Sequence, residues 1–157
     1  MQKTINIFWF KRDLRLYDND ALNASLELSK PLKLIYIVEP SLVNDEHYSL
    51  RHWRFLFESL KGLNKKLAEF NTSIQIYYDE VKNVFSQILK EFKIENIFST
   101  EESGLYITYN RDILFVKFCK KHNIIWNEFQ NGGVVRGLKN RDTWRNSWYD
   151  YMNNKIS

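Results

Sequence analysis

Two short runs, residues 4–10 (TINIFWF) and 32–38 (LKLIYIV), are apolar almost without interruption and are built largely from β-branched and aromatic residues. A strand with one face in water alternates apolar and polar side chains. A run that does not alternate predicts a strand covered on both faces, as in a parallel sheet packed between helices. Three further β-rich stretches follow, at 73–78 (SIQIYY), 96–99 (NIFS) and 124–128 (IIWNE). Between the strands the period changes to that of a helix. Asp18 is the expected N-cap of a first short helix with Ala21, Leu22, Leu26 and Leu28 on its apolar face. Trp53, Leu56, Phe57, Leu60, Leu63, Leu67 and Phe70 mark a long amphipathic helix over 50–70, and Val81, Val84, Phe85, Ile88, Leu89 and Phe92 form a second stripe. Residues 106–122 predict a further helix.

Strands alternating with helices imply an α/β fold. The expectation is a Rossmann-like open five-stranded parallel sheet of order 3-2-1-4-5 with helices on both faces, occupying residues 1–130. From about Gln130 the pattern breaks into a Gly turn and a basic, Trp-containing stretch, so residues 131–157 read as a segment leading out of the domain. Trp144 and Trp148, four apart, are expected to share a helix face and to pack against whatever follows.

An open parallel sheet binds ligands beyond the carboxyl ends of its strands, where strand order reverses. That rule places Lys11, Arg12 and Asp13 on one side of the switch point and Glu101 and Glu102 on the other, with Glu39 at the end of the second strand. Lys11 and Arg12 either neutralise an anionic ligand or pair with nearby carboxylates. Asp13, Arg15 and Asp18 are expected to brace the loop after the first strand. Other chemistry is scarce. His47, His52 and His122 are scattered without ligand spacing, so no metal site is expected. No glycine-rich phosphate loop or nucleophile elbow is present. The single cysteine, Cys119, falls on the apolar side of its helix, which predicts a core residue and suits a reducing cytoplasm. No stretch approaches the ~20 apolar residues that span a bilayer, and no signal-peptide pattern opens the chain. The formal net charge of +4 predicts weak, sequence-independent and salt-sensitive contact with DNA at most.

The stretch 9–22, WFKRDLRLYDNDAL, closely resembles the N-terminal signature of the photolyase/cryptochrome family, W-F-R-R-D-L-R-L-x-D-N-x-A-L. Lys11, Tyr17 and Asp20 are mild departures. LIYIVEP (34–40) is similar to that family's second strand, RHWRFLFESL (51–60) to its R-W-R-F-L-x-x-S-L helix, and YNRD (109–112) to the Arg-Asp of its later helix. The stretch NGGVVRGLKNRDTWRNSWYDYM (131–152) resembles the way out of this domain in some bacterial members.

The resemblance implies an N-terminal α/β domain that carries a light-harvesting antenna chromophore. The FAD, the electron-transfer tryptophans and most of the lesion-binding groove belong to a helical domain outside these 157 residues. Such a chain is expected to have no catalytic residues and no light-driven repair of its own, and to meet damaged DNA only through the full-length protein. Cofactor contacts fall on Lys11, Arg12, Glu39, Arg54, Glu101 and Glu102; Arg54 enters through the helix match, its bland reading being an ion pair with Glu58. Where folate-binding members carry Asn-Glu, this chain has Ile107 and Thr108, which favours a flavin or deazaflavin over folate. Two other readings stay open: an adenine-nucleotide-binding α/β domain, and an interaction module that keeps only the fold.

Overall fold

The computed structural model describes residues 2–154 and 156. Five parallel strands, β1 (Lys3–Phe10), β2 (Leu32–Val38), β3 (Gln75–Tyr78), β4 (Phe92–Thr100) and β5 (Ile125–Phe129), form one sheet in the order β3-β2-β1-β4-β5. Each strand presents successive side chains to opposite faces. Ile5, Ile7 and Trp9 of β1 therefore point into one core with Ile35 and Ile37 of β2, beneath α4 (Val81–Glu91) and α5 (Tyr106–Lys121). Phe8 and Phe10 point into the other with Leu34 and Tyr36, beneath α1 (Asp20–Leu26) and α3 (Leu50–Leu67). Helices cover both faces, which is why β1 and β2 carry no polar alternation.

Asn6 is the polar residue inside the buried stretch of β1. It is fully buried, and its side-chain Oδ1 accepts from Asn96 at 3.2 Å across a register shift between β1 and β4. Cys119 lies in the first core, with burial pushing its thiol up to about 12.

Several local expectations change. The N-cap of α1 is Asn19, whose side chain accepts from the Leu22 amide at 3.1 Å. Asp18 instead takes a left-handed conformation at φ 53° while its carboxylate pairs with Arg15. Leu26, Leu28 and Phe70 are exposed because they lie where their helices end, and Phe57 is exposed in mid-α3 because it lies off the buried stripe of Leu60, Leu63 and Leu67. Phe92 leaves the helical stripe to open β4, extended at φ −129° and ψ 150°. One helix adds to the expected set, α2 (Pro40–Val43), begun by a proline that needs no amide partner there, and Trp144 and Trp148 lie on α6 (Trp144–Met152) in the C-terminal segment.

Candidate functional site

The strands end in a cluster of buried charge beside a cavity of about 350 Å³. The cavity lies beyond the carboxyl ends of β1 and β2, between them, α2, the start of α3 and the loop before α5. Trp9, Tyr36, Tyr48, Trp53 and Leu56 supply apolar and aromatic wall, and Arg12, Glu39, Glu102 and Arg111 supply charge. Tyr48 and Trp53 stack with ring centroids 5.2 Å apart. Ser49 caps α3 through the His52 amide while His52 Nδ1 accepts from the Ser49 amide, so this end of the helix is fixed from within the chain.

Arg111, on the inner side of α5, organises the charge. Its guanidinium reaches Glu39 at 2.7 Å, Glu102 at 2.6 Å and Asp112 at 2.8 Å, and lies 5.1 Å from the centre of the Trp9 ring. Burial alone would disfavour its charge, but Glu39, Glu102 and Asp112 outweigh that and raise its pKa. Three carboxylates around one guanidinium cannot all be equally satisfied. Burial pushes Glu39 up to about 7, with Arg111 opposing and Glu102 adding to the rise. Glu102 also takes Arg12 Nε at 3.0 Å, and Arg12 in turn donates to the Tyr48 hydroxyl at 3.2 Å.

Lys11 also borders the cavity but is almost wholly buried. Its ammonium pairs with Asp112 at 3.2 Å and Glu128 at 3.3 Å, and sits 4.8 Å from the ring centres of both Trp9 and Trp126. Burial pulls its pKa down more strongly than those carboxylates hold it up.

The structure thus brings Arg12, Glu39 and Glu102 together on one cavity wall. Lys11 is spent on internal pairs, so its charge is matched before any ligand arrives. Glu101 stands apart, with Arg136 at 3.9 Å as its nearest cation. Arg54 is exposed and lines no part of the cavity; among the described residues it forms no ion pair with Glu58. On α3 the neighbouring Trp53 and Leu56 occupy the inward stripe, which turns Arg54 outward. Arg15 pairs with Asp13 at 2.9 Å and Asp18 at 3.1 Å, tying the loop after β1 to itself. Arg111, Asp112, Glu128 and Tyr48 were absent from the expected set. The available signal was an Arg-Asp pair in mid-helix, next to the buried stripe of Phe115 and Cys119, where unpaired charge is too costly to leave. No group of three or more potential metal ligands occurs among the described residues.

A strand-end cavity on this sheet order, with an acidic-Pro corner after β2 and an Arg-Asp pair facing it from α5, defines the class. The family model described as DNA photolyase matches residues 6–139, and the chain belongs to that family. It corresponds to the family's N-terminal α/β domain. Cryptochrome-2 of Gallus gallus is 30% identical over 122 residues, which is 76% of this chain and 20% of that protein. Cryptochrome-1 of Mus musculus is 28% identical over 91 residues, 58% of this chain and 15% of the relative. The chain therefore spans a fifth or less of these relatives' lengths. Among solved structures, an archaeal photolyase from Sulfolobus tokodaii superposes with a TM-score of 0.77 at 24% identity, over 98% of this chain and 36% of the other. A cryptochrome from Synechocystis gives 0.76 at 19% identity, over 86% and 29% respectively. At these identities the superpositions speak to the fold. No described helix is long and apolar enough to cross a membrane.

Proposed function

We propose that this chain is the antenna-chromophore domain of a light-dependent flavoprotein of the photolyase or cryptochrome type, and that the strand-end cavity holds a flavin or deazaflavin ring. The observation that carries this reading is the cavity itself. Its roughly 350 Å³ lies at the low end of ligand-pocket sizes. It offers flat aromatic wall from Tyr48 and Trp53 beside hydrogen-bonding charge from Arg12 and Glu39. That combination suits a planar heteroaromatic ring with polar edges. The Sulfolobus tokodaii photolyase is described as holding two FAD molecules, one implicated as a novel light-harvesting cofactor, which agrees with a flavin at a second site. Folate fits less well: at the positions of the Asn-Glu pair, Ile107 is apolar and the Thr108 hydroxyl donates to the Leu105 carbonyl.

In this reading residues 1–130 form the antenna domain and 131–157 lead toward a helical domain. That domain supplies the redox-active FAD, and with it light-driven chemistry on damaged DNA in the cytoplasm. The chain's own residues bind and orient the antenna and exclude water from it. No bond-making step is assigned to them.

The test is reconstitution of the purified protein with FMN, its 5-deaza analogue, methenyltetrahydrofolate and AMP, followed by ultrafiltration and absorption spectroscopy. FMN or the deaza analogue should be retained in a blue-absorbing complex at one per chain. Retention of folate alone or AMP alone, or of none of the four, overturns the assignment.

A further inference from the structure

The C-terminal segment folds back onto the strand ends. The Trp144 indole donates to the Gly133 carbonyl at 3.0 Å and the Tyr151 hydroxyl to the Gln130 carbonyl at 3.3 Å. Trp148 packs so closely on Gly133 that a β-carbon there would lie 2.0 Å from the ring. From this folded segment Arg136 reaches back into the charge cluster. Its guanidinium meets Glu128 at 3.1 Å and Asp112 at 3.4 Å, and its Nε donates to the Glu102 backbone carbonyl at 3.1 Å. Glu102 is held from two sides. Its carbonyl takes Arg136, while its carboxylate takes Arg12 and Arg111 on the cavity wall.

We infer that Arg136 is a positioning residue for the cavity: docking of the segment 131–152 sets the place of Glu102, and through it the cavity-facing Arg12 and Arg111. Three features make this more than a surface contact. Arg136 engages the Glu102 carbonyl in a loop whose other backbone ties are the Glu101 amide on the Phe129 carbonyl and Arg12 on the Ser103 carbonyl. Its partners Asp112 and Glu128 are the carboxylates that neutralise buried Lys11, so losing Arg136 leaves Glu128 with Lys11 alone and Asp112 with Lys11 and Arg111. The contact also joins residues on the way out of the domain to residues that face its ligand. Coupling of this kind is reciprocal, so a ligand that orders Glu102 also favours the docked segment. The ligand half of this inference rests on the proposed flavin site.

Two variants test it. Arg136→Gln removes the contact directly, and Gly133→Ala displaces Trp148 without touching the cluster. Arg136→Gln should weaken FMN binding by about tenfold, with Arg136→Lys recovering part of the loss. FMN should also protect the wild-type segment from trypsin at Lys139 and Arg141, and protect the Arg136→Gln protein much less. Hydrogen exchange read by mass spectrometry, without any ligand, should rise over 101–112 in both variants and stay unchanged over 81–91. If wild-type protein takes up no FMN, the flavin reading fails while the exchange experiment still decides the clasp. Unchanged exchange over 101–112 in Arg136→Gln, or unchanged FMN affinity with the segment released, overturns the clasp.

Discussion

The middle of the sheet and its carboxyl end are built on opposite principles. In the middle, Ile7, Phe8, Trp9, Ile35 and Ile97 are almost completely buried among apolar neighbours, and Trp9 meets Phe85 and Phe115 edge-on at 5.7 and 5.3 Å. Each such residue contributes by removing surface from water, and no partner is singular. One turn of chain further on, Lys11, Glu39 and Asp112 are just as buried, yet they carry charge. There the stabilising contribution depends on specific partners, since a buried ion is tolerated only with its counter-ion in place. The body holds the fold; the end holds a shape and a potential that the fold alone does not require.

Four substitutions sharpen or break that contrast. The largest effect belongs to the body. Phe85→Ala should lower unfolding free energy by about 3–5 kcal/mol, nearly independent of pH, as measured by urea denaturation. Next, Arg111→Met takes the described counter-ion from buried Glu39 and one of those on Glu102 and Asp112, and should cost about 3 kcal/mol at neutral pH. Unlike the Phe85 loss, this one should shrink toward pH 5 as Glu39, whose pKa burial raises to about 7, takes up a proton. An equal loss at both pH values would erase the distinction between the two regions.

Glu39 gives the third test. Its folded pKa of about 7 exceeds the ordinary 4.5, so between those values the folded protein holds more protons than the unfolded chain. Its contribution is complete below 4.5 and is lost as pH rises through 7. Glu39→Gln cannot ionise, so relative to wild type it should gain up to about 2–3 kcal/mol across that window. A difference that stays flat with pH would mean that Glu39 is ionised throughout. The smallest effect is Arg54→Ala, which should change stability by less than about 0.5 kcal/mol and leave FMN binding intact.

The same contrast explains what could be read from the sequence. The elements and the two-faced core were legible because unbroken apolar runs and 3.6-period stripes are local patterns, and residues 32–38 matched β2 end to end. Element ends were less so. Asp18 and Asn19 are both good caps, and Asn19 takes the role with an extended backbone while Asp18 is left-handed and pairs with Arg15. The charge cluster was half legible. The switch-point rule found Arg12, Glu39 and Glu102, but the partner that unites them, Arg111, lies 72 residues from Glu39 in the chain. Lys11 was placed correctly at the end of β1, but its pairing with Glu128, 117 residues away, could not be foreseen from local pattern. Glu101 and Glu102 are neighbours of the same type. Backbone direction after β4 buries one side chain against Arg111 and leaves the other partly in solvent.

The central claim is that the carboxyl end of this sheet holds a planar flavin-type chromophore between Tyr48, Trp53, Arg12 and Glu39. Titration of isotope-labelled protein with FMN, followed residue by residue by NMR, tests it most directly. Chemical-shift changes should concentrate at 9–12, 36–42, 48–56 and 102–111, with the interior of β1 and the exposed side of α4 unmoved. Shifts centred elsewhere, such as the β3 edge or the amino ends of the strands, or no shifts at saturating FMN, would contradict it.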